Sequence, residues 1–203
     1  MRPSILFSIL LILGVAQNQP PVAQTPPPPW QSLPVPGSLN PGQTRDGFGW
    51  YRTWIKPHSS FFLKHERNLF EESVVINIRD LAGAHELYVN GQKIGSGGRL
   101  PPAYESGRDG NHRHKVPAGT LKPNLWNEIA LRVYSPSAPG GFLGEAPFIM
   151  NYFMECSLEG IWQYRSGDFK LQPSEPLAER PVPSAFDSFH ESQIGRASCR
   201  ERV

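Results

Sequence analysis

Between residues 30 and 167 the pattern of apolar and polar residues is typical of β-strands, with alternation that is clear in one segment and partial in another. The clearest case is 127–134, where Asn127, Ile129, Leu131 and Val133 occupy alternate positions. A period of two is that of a β-strand with one face on a core. Further strands are predicted where aromatic and β-branched residues are dense, over 48–55, 73–79, 85–89 and 92–95. No long window shows the 3.6-residue period of an amphipathic helix.

Asn90 and Gly91 separate two of these predicted strands. The pair is a strong hairpin signal, because a type I′ turn needs positive φ at both central residues. The other predicted strands are also short and bounded by Gly, Pro or Asn. Such a series predicts an all-β fold, a β-sandwich of the jelly-roll type. Residues 30–168 are sufficient for one domain of this kind.

The first 16 residues have the composition of a secretory signal peptide. A basic start precedes an apolar run over 5–15, and residues 14–16 are small, as a signal peptidase requires. The run is too short for a stable membrane-spanning helix, although an uncleaved anchor is the alternative. We therefore expect export to the periplasm or the extracellular space, with no membrane contact after cleavage. Residues 17–29, rich in Pro and Gln, are predicted to be an extended linker.

The last ten residues, 194–203, match the translation of a common sequencing-library adapter at every position. We therefore predict that they are an artefact outside the fold, and that residues 169–193 are a linker to a missing C-terminal region. Without the last ten residues, Lys+Arg falls from 20 to 17 and Asp+Glu from 18 to 17. The resulting neutral balance gives no indication of a nucleic-acid partner. Cys156 is then the one remaining cysteine, which predicts no internal disulfide and no cysteine-built zinc site.

For the aromatic and basic residues of the predicted strands, a structural role is favoured over a functional one. Trp50, Tyr51 and Trp54 have rings that stack well on sugars, but aromatic residues on a central strand are typically core. Arg52 and Arg132 suit a structural hydrogen bond or stacking on an aromatic ring. We therefore expect these five residues to stabilise the fold.

His112 and His114 would share one face of a strand, as a metal-binding pair requires. Spacing places no third ligand near them, so a solvent-facing strand is the favoured interpretation. The sequence contains no G-x-S-x-G motif, and no two carboxylates can be paired for glycoside hydrolysis. No catalytic residue and no cofactor is therefore assigned, and the question of a structural Ca²⁺ is left open.

Two long polar stretches, 96–110 and 136–147, connect predicted strands. Long loops in a compact domain commonly carry binding residues. Tyr104, Arg108, Asp109 and Phe142 combine aromatic surface with polar groups, which suits the hydroxyls and apolar C–H face of a carbohydrate. These four residues are predicted ligand contacts. The alternative is ordinary loop structure, or docking onto the missing domain.

The order of several short motifs resembles the sugar-binding domain of glycoside hydrolase family two, a galactose-binding-like jelly roll. Trp-Tyr-Arg at 50–52, Tyr-Val-Asn-Gly at 88–91 and Asn-Glu-Ile-Ala-Leu-Arg-Val at 127–133 follow one another as they do in that domain. The resemblance covers about residues 30–149. It implies an N-terminal module that precedes a separate catalytic domain.

A closer resemblance is to forms of this module in large exported proteins of planctomycete-like bacteria. It rests on Leu-Pro-Pro-Ala-Tyr at 100–104, Gly-Gly-Phe at 140–142 and Trp-Gln-Tyr-Arg-Ser-Gly-Asp at 162–168. In such proteins the module can precede a sugar-dehydrogenase-like propeller and a haem-attaching Cys-x-x-Cys-His segment. Neither is present in this sequence, so that activity is not carried over.

These observations predict a non-catalytic module, truncated from a larger exported carbohydrate-active enzyme, that binds a carbohydrate or docks onto the missing catalytic domain. The alternative is a purely structural accessory module of a haem-linked sugar dehydrogenase. A third hypothesis, an enzyme in its own right, would require catalytic groups that the sequence does not identify.

Overall fold

A computed structural model describes residues 28–39, 47–62, 74–136, 140–171, 176 and 199–201. The described regular structure consists of strands and one 3₁₀ turn, Ser59–Phe62. The strands are β1 Gln31–Val35, β2 Gly37–Leu39, β3 Phe48–Ile55, β4 Val75–Ile78, β5 Ala84–Val89, β6 Gln92–Gly97, β7 His112–Lys115, β8 Asn127–Tyr134, β9 Gly140–Phe142, β10 Phe148–Met150, β11 Met154–Ser157, β12 Gly160–Ser166 and β13 Cys199–Glu201.

The strands form two antiparallel sheets and a short two-stranded ribbon of β2 and β9. One sheet has six strands in the order β1-β12-β3-β8-β5-β6, and the other has five in the order β13-β11-β10-β4-β7. Non-consecutive strands are neighbours in both sheets, as in a jelly roll. The predicted all-β jelly-roll sandwich is confirmed. The predicted hairpin is confirmed as well, since Asn90 and Gly91 have φ of 50° and 77°.

One apolar core lies between the two sheets. Tyr51, Leu87 and Leu131 project into it from the six-stranded sheet, and Ile76 and Ile149 from the five-stranded sheet. Alternation along β3, β5 and β8 accounts for this placement, because successive side chains of a strand point to opposite faces. The inward face of β8 is the one that the sequence predicts.

Asn127 and Asn90 join the central hairpin to the start of β8. Asn127 is fully buried. Its side chain donates to Lys122 O at 2.9 Å and Leu125 O at 2.7 Å, and accepts from Lys122 N at 2.8 Å and Asn90 Nδ2 at 3.0 Å. Asn90 Oδ1 accepts from Glu128 N at 2.9 Å. Asn90 is therefore a turn residue, as predicted, that also fixes a neighbouring strand.

Replacing Asn127→Ala is expected to lower the free energy of unfolding by roughly 3 kcal/mol, because several buried partners lose their hydrogen bonds. Urea denaturation would measure the loss. Asn111→Ala is the control, since Asn111 is exposed and, among the described residues, its side chain makes one long contact, 3.4 Å from Arg79 Nε. That substitution should change stability by less than about 0.5 kcal/mol. Equal effects of the two substitutions would contradict the role of Asn127.

The C-terminal strand and the cysteines differ from the prediction. β13 lies within residues 194–203 and pairs with β11, so Cys199 is opposite Cys156. Cys156 is disulfide-bonded, and Cys199 is the other cysteine of the sequence. The prediction of no internal disulfide is therefore wrong, as is the placement of 199–201 outside the fold. The physical reason is that the free edge of β11 offers unpaired N–H and C=O groups to any extended segment. The adapter origin of these residues stays a prediction.

The two flanks of the sandwich meet on one surface. The rings of Trp30, before β1, and Phe169, after β12, are in edge contact with centroids 5.9 Å apart. The predicted signal peptide and most of the two predicted linkers lie outside the described residues. Within the described ranges, no helix has the length and apolar character needed to cross a bilayer.

Candidate functional site

The face of the six-stranded sheet that points away from the core, here the outer face, carries a network of charged side chains. Arg132 donates to both carboxylate oxygens of Asp168, at 2.8 and 2.6 Å, and to Glu86 at 3.1 Å. Lys93 also pairs with Glu86. On the same face Arg52 lies 3.4 Å from Glu128 Oε1. The outer face therefore holds its carboxylates against cationic partners.

These contacts change the proton affinity of Glu86. Burial alone would raise the pKa of this carboxyl, but hydrogen bonds from Lys93, Tyr88 and Arg132 outweigh it, so the pKa is lowered. The hydrogen bonds to Asp168 are the main reason that the pKa of Arg132 is raised. A general acid for glycoside hydrolysis needs a raised pKa. Glu86 is therefore suited to a structural ion pair.

Aromatic rings cover part of the outer face. The guanidinium of Arg52 lies 3.8 Å from the centroid of the Trp30 ring. The Trp50 ring contacts Phe169 and Tyr88, with centroids 5.5 and 5.4 Å apart. Trp50 is buried beneath these rings.

The structural interpretation of the strand residues is thereby confirmed. Tyr51 lies in the core, and Trp54 is buried. Arg52 and Arg132 both make ion pairs and lie over aromatic rings, Arg132 at 5.0 Å from the Phe48 centroid.

Residues 98–111, here the 98–111 loop, connect β6 to β7 and hold three of the four predicted ligand contacts. Arg99 and Glu105 pair through two backbone hydrogen bonds of 2.8 and 3.0 Å, and their side chains form an ion pair at 3.2 Å. Gly107 N donates to Gly83 O at 2.8 Å, which ties the loop to the start of β5. The loop is therefore anchored at several points along its length.

Tyr104 directly precedes Glu105 in the 98–111 loop. Its side chain is 38% exposed, and its ring packs against Tyr134 with centroids 5.1 Å apart. Arg108 and Asp109 follow in an exposed turn, in which Arg108 N donates to Ser106 Oγ at 3.2 Å. The structure thus places an accessible aromatic ring and two charged groups on one loop.

Phe142, the fourth predicted contact, lies elsewhere. It is 1% exposed and packs against Tyr51 and Trp162, with ring centroids 5.5 and 5.8 Å apart. β9 pairs with β2, and this pairing holds Phe142 against the core. A buried ring is inaccessible to a ligand, so the assignment of Phe142 as a ligand contact is corrected to core packing.

Three imidazoles meet beneath the 98–111 loop, and His85, His112 and His114 are here called the histidine cluster. His85 Nε2 lies 3.2 Å from His114 Nε2. The ring of His112 is 5.1 Å from that of His85 and 6.3 Å from that of His114. His112 Nε2 donates to Gly107 O at 2.6 Å. The cluster therefore links β5, β7 and the 98–111 loop.

The cluster corrects the interpretation of His112 and His114 as a solvent-facing pair. His114 is buried, and both rings face His85, which the sequence did not single out. Glycines make room for the rings: a Cβ on Gly97 would lie 2.3 Å from His85 Cε1, and one on Gly95 2.3 Å from His114 Nδ1. Alternation along β5 and β7 predicts which face of its strand each histidine lies on. The contact between the three rings, however, depends on how the two sheets pack.

Burial, and to a smaller extent charge on the neighbouring imidazoles, lowers the pKa of His85 to about 3 and that of His114 to about 4. The two rings are therefore neutral near pH 7. In the part of the chain that the structure describes, no three His, Cys, Asp or Glu side chains are arranged to hold one metal ion.

The fold and the anchored loop define a jelly-roll β-sandwich module. No family model matches the chain, and no curated protein matches it. Solved structures similar to it include an apo β-glucuronidase from Ruminococcus gnavus, at 18% identity and a TM-score of 0.37, over 66% of this chain and 23% of that one. A β-D-glucuronidase from Dictyoglomus thermophilum matches at 15% identity and a TM-score of 0.38, over 68% of this chain and 26% of that one. The chain thus spans about a quarter of those enzymes.

Proposed function

We propose that this sandwich is a non-catalytic module of a larger exported carbohydrate-active enzyme, and that it binds a carbohydrate through the 98–111 loop. The observation that carries the proposal is Tyr104, an accessible ring on the same anchored loop as the exposed Arg108 and Asp109. A sugar offers an apolar face to such a ring and hydroxyls to the charged groups. An anchored loop loses little conformational entropy on binding, which favours affinity.

A second line of support is the state of the carboxylates on the outer face. Glu86 and Glu128 both form ion pairs with arginine. This arrangement suits a supporting domain better than a hydrolytic centre, which needs one carboxyl group free to donate a proton. The motif order that resembles the sugar-binding domain of glycoside hydrolase family two agrees with the same proposal.

Calorimetric titration of the full chain against a panel of oligosaccharides tests the proposal. Tyr104→Ala is expected to weaken binding roughly tenfold, because one aromatic contact contributes about 1–2 kcal/mol. Tyr152→Ala is the matched control, since Tyr152 is 65% exposed but lies on the β10–β11 turn, outside the 98–111 loop. Its affinity should equal that of the wild type. The absence of a heat signal for every sugar would contradict carbohydrate binding.

Docking onto a catalytic domain is the second candidate function. Tyr152 and Phe153 form an edge-to-face pair at 5.0 Å on the β10–β11 turn, with Tyr152 largely exposed. Exposed aromatic pairs are typical of the centres of protein interfaces. Docking predicts that Tyr152→Ala weakens binding of the downstream domain supplied in trans, while Tyr104→Ala leaves it unchanged.

Long-read sequencing of the source DNA beyond Gln193 would identify the parent protein directly. A (β/α)₈ barrel with paired glutamates would support a glycoside hydrolase of the family two type. A propeller followed by Cys-x-x-Cys-His would support the accessory module of a haem-linked sugar dehydrogenase. A stop codon at this point would contradict truncation and leave a free-standing sugar-binding domain.

A further inference from the structure

The histidine cluster lies beside an edge strand of each sheet. β6 is the edge strand of the six-stranded sheet, and β7 is the edge strand of the five-stranded sheet. The 98–111 loop crosses from one edge to the other above the cluster. Edge strands and the loops between them open locally at a lower free-energy cost than central strands. The cluster is therefore enclosed in part by elements that open at a lower free-energy cost than the central strands.

The contact between His85 and His114 constrains where protons lie. The two Nε2 atoms are 3.2 Å apart, so one donates and the other accepts. His85 Nδ1 is buried and has no hydrogen-bond partner among the described residues. Leaving a lone pair without a partner costs less than leaving an N–H without one, so His85 is assigned as the donor. Protonation of both rings would place two N–H groups face to face and abolish the hydrogen bond.

Few other charges lie near the three imidazoles. The charged side chains of the loop and of β7, which are Arg99, Glu105, Arg108, Asp109, Arg113 and Lys115, are all exposed. Glu86 and Lys93, on β5 and β6, pair with each other on the outer face. No carboxylate among the described residues contacts an imidazole of the cluster in an ion pair. A proton taken up by the cluster thus has no ion-paired carboxylate to balance its charge.

We propose that the histidine cluster is an acid-sensitive latch, which holds the 98–111 loop closed at neutral pH and releases it as the pH falls. In the closed state His112 donates to Gly107 O, and the His85–His114 hydrogen bond joins the sheets below. Opening exposes the imidazoles of His85 and His114 to water, where these two rings accept protons at ordinary pH values near 6.5. Acid therefore favours the open state. On the proposed function, on which this step rests, release of the loop also weakens carbohydrate binding.

Amide hydrogen exchange followed by NMR tests the latch without any ligand. The reporters are the amides of Arg99, Glu105 and Gly107, each of which donates a hydrogen bond within or from the loop. Between pH 6.5 and 5.0 their protection factors should fall by up to about tenfold per pH unit for each imidazole protonated on opening. The reference is the amide of Asn90, which donates to Glu128 O at the hairpin. Its protection should change less than that of the loop amides.

Two variants separate the latch from other effects of acid. The double variant His85→Gln/His114→Gln should reduce the pH dependence of loop protection. Glu105→Gln, which removes the exposed ion pair with Arg99, should retain it. Flat protection factors in the wild type, or an equal pH dependence in the double variant, would overturn the latch.

Calorimetric titration at pH 7 and pH 5 adds the functional consequence. Weaker sugar binding at pH 5 in the wild type, but not in the double variant, is the expected result. If the hydrogen-exchange protection of the loop amides falls in acid but the chain binds no sugar at any pH, the latch is supported and carbohydrate binding is contradicted.

Discussion

Phe142→Ala is expected to lower the free energy of unfolding by about 3–5 kcal/mol. Phe142 is buried between Tyr51 and Trp162, so removing its ring leaves a cavity that the two flanking rings cannot fill without moving. Urea or thermal denaturation would measure the loss. The same substitution should leave the carbohydrate affinity of the remaining folded molecules unchanged, because the ring is not accessible to a ligand.

Two further variants make this prediction specific. Phe142→Leu keeps most of the apolar volume and should cost less than Phe142→Ala. Tyr152→Ala removes an exposed ring and should change stability by less than about 0.5 kcal/mol. A Phe142→Ala variant as stable as the wild type would mean that Phe142 is outside the core.

The fold is expected to lose stability in mild acid. The pKa values of His85 and His114 are lowered in the folded state, to about 3 and about 4, by burial and by the neighbouring imidazoles. In the unfolded chain both titrate near 6.5, so below that pH the unfolded state binds more protons than the folded state. Stability present above pH 6.5 is therefore lost as the pH falls towards these two values. By pH 5.0 the loss is on the order of 2 kcal/mol for each imidazole.

Urea denaturation at pH 7.5 and pH 5.0 would measure this loss. His85→Gln is the informative variant, because glutamine keeps an amide near the position of Nε2 but gains no proton. Its stability should fall less between the two pH values than that of the wild type. The folded-state pKa of Glu86 is also lowered, so its protonation at still lower pH would destabilise the fold. Stopping at pH 5.0 keeps this second loss of stability out of the comparison. Identical losses in the two proteins would show that His85 does not govern acid stability.

Local patterns in the sequence were sufficient for most of the sandwich. The alternation over 127–134 gave the inward face of β8 correctly, because a strand has only two faces. Asn90-Gly91 gave the turn, because few dipeptides accept two positive φ angles. Arg52 and Arg132 were correctly interpreted as structural, since arginine in a sheet rich in aromatic residues has rings to stack on.

The errors came from contacts between segments distant in sequence. Phe142 follows two glycines in a polar stretch, and its burial depends on pairing with β2, about a hundred residues earlier. The histidine cluster needs β5 and β7 to face each other across the sandwich, which no local pattern encodes. β13 depends on a free strand edge at β11. Of the four predicted ligand contacts, the structure keeps Tyr104, Arg108 and Asp109 on one exposed loop and moves Phe142 to the core.

The edge contact of Trp30 and Phe169 has a consequence for how such a sandwich is used in evolution and in engineering. Because the segment from Trp30 to Phe169 begins and ends at neighbouring points on the outer face, that segment without the edge strand β13 can be inserted into a surface loop of a host protein without separating the ends of that loop. The same proximity allows the original flanks to be joined by a short linker and new ends to be opened at an exposed turn. The geometry of the two ends is thus compatible with an internal as well as a terminal position in a longer chain.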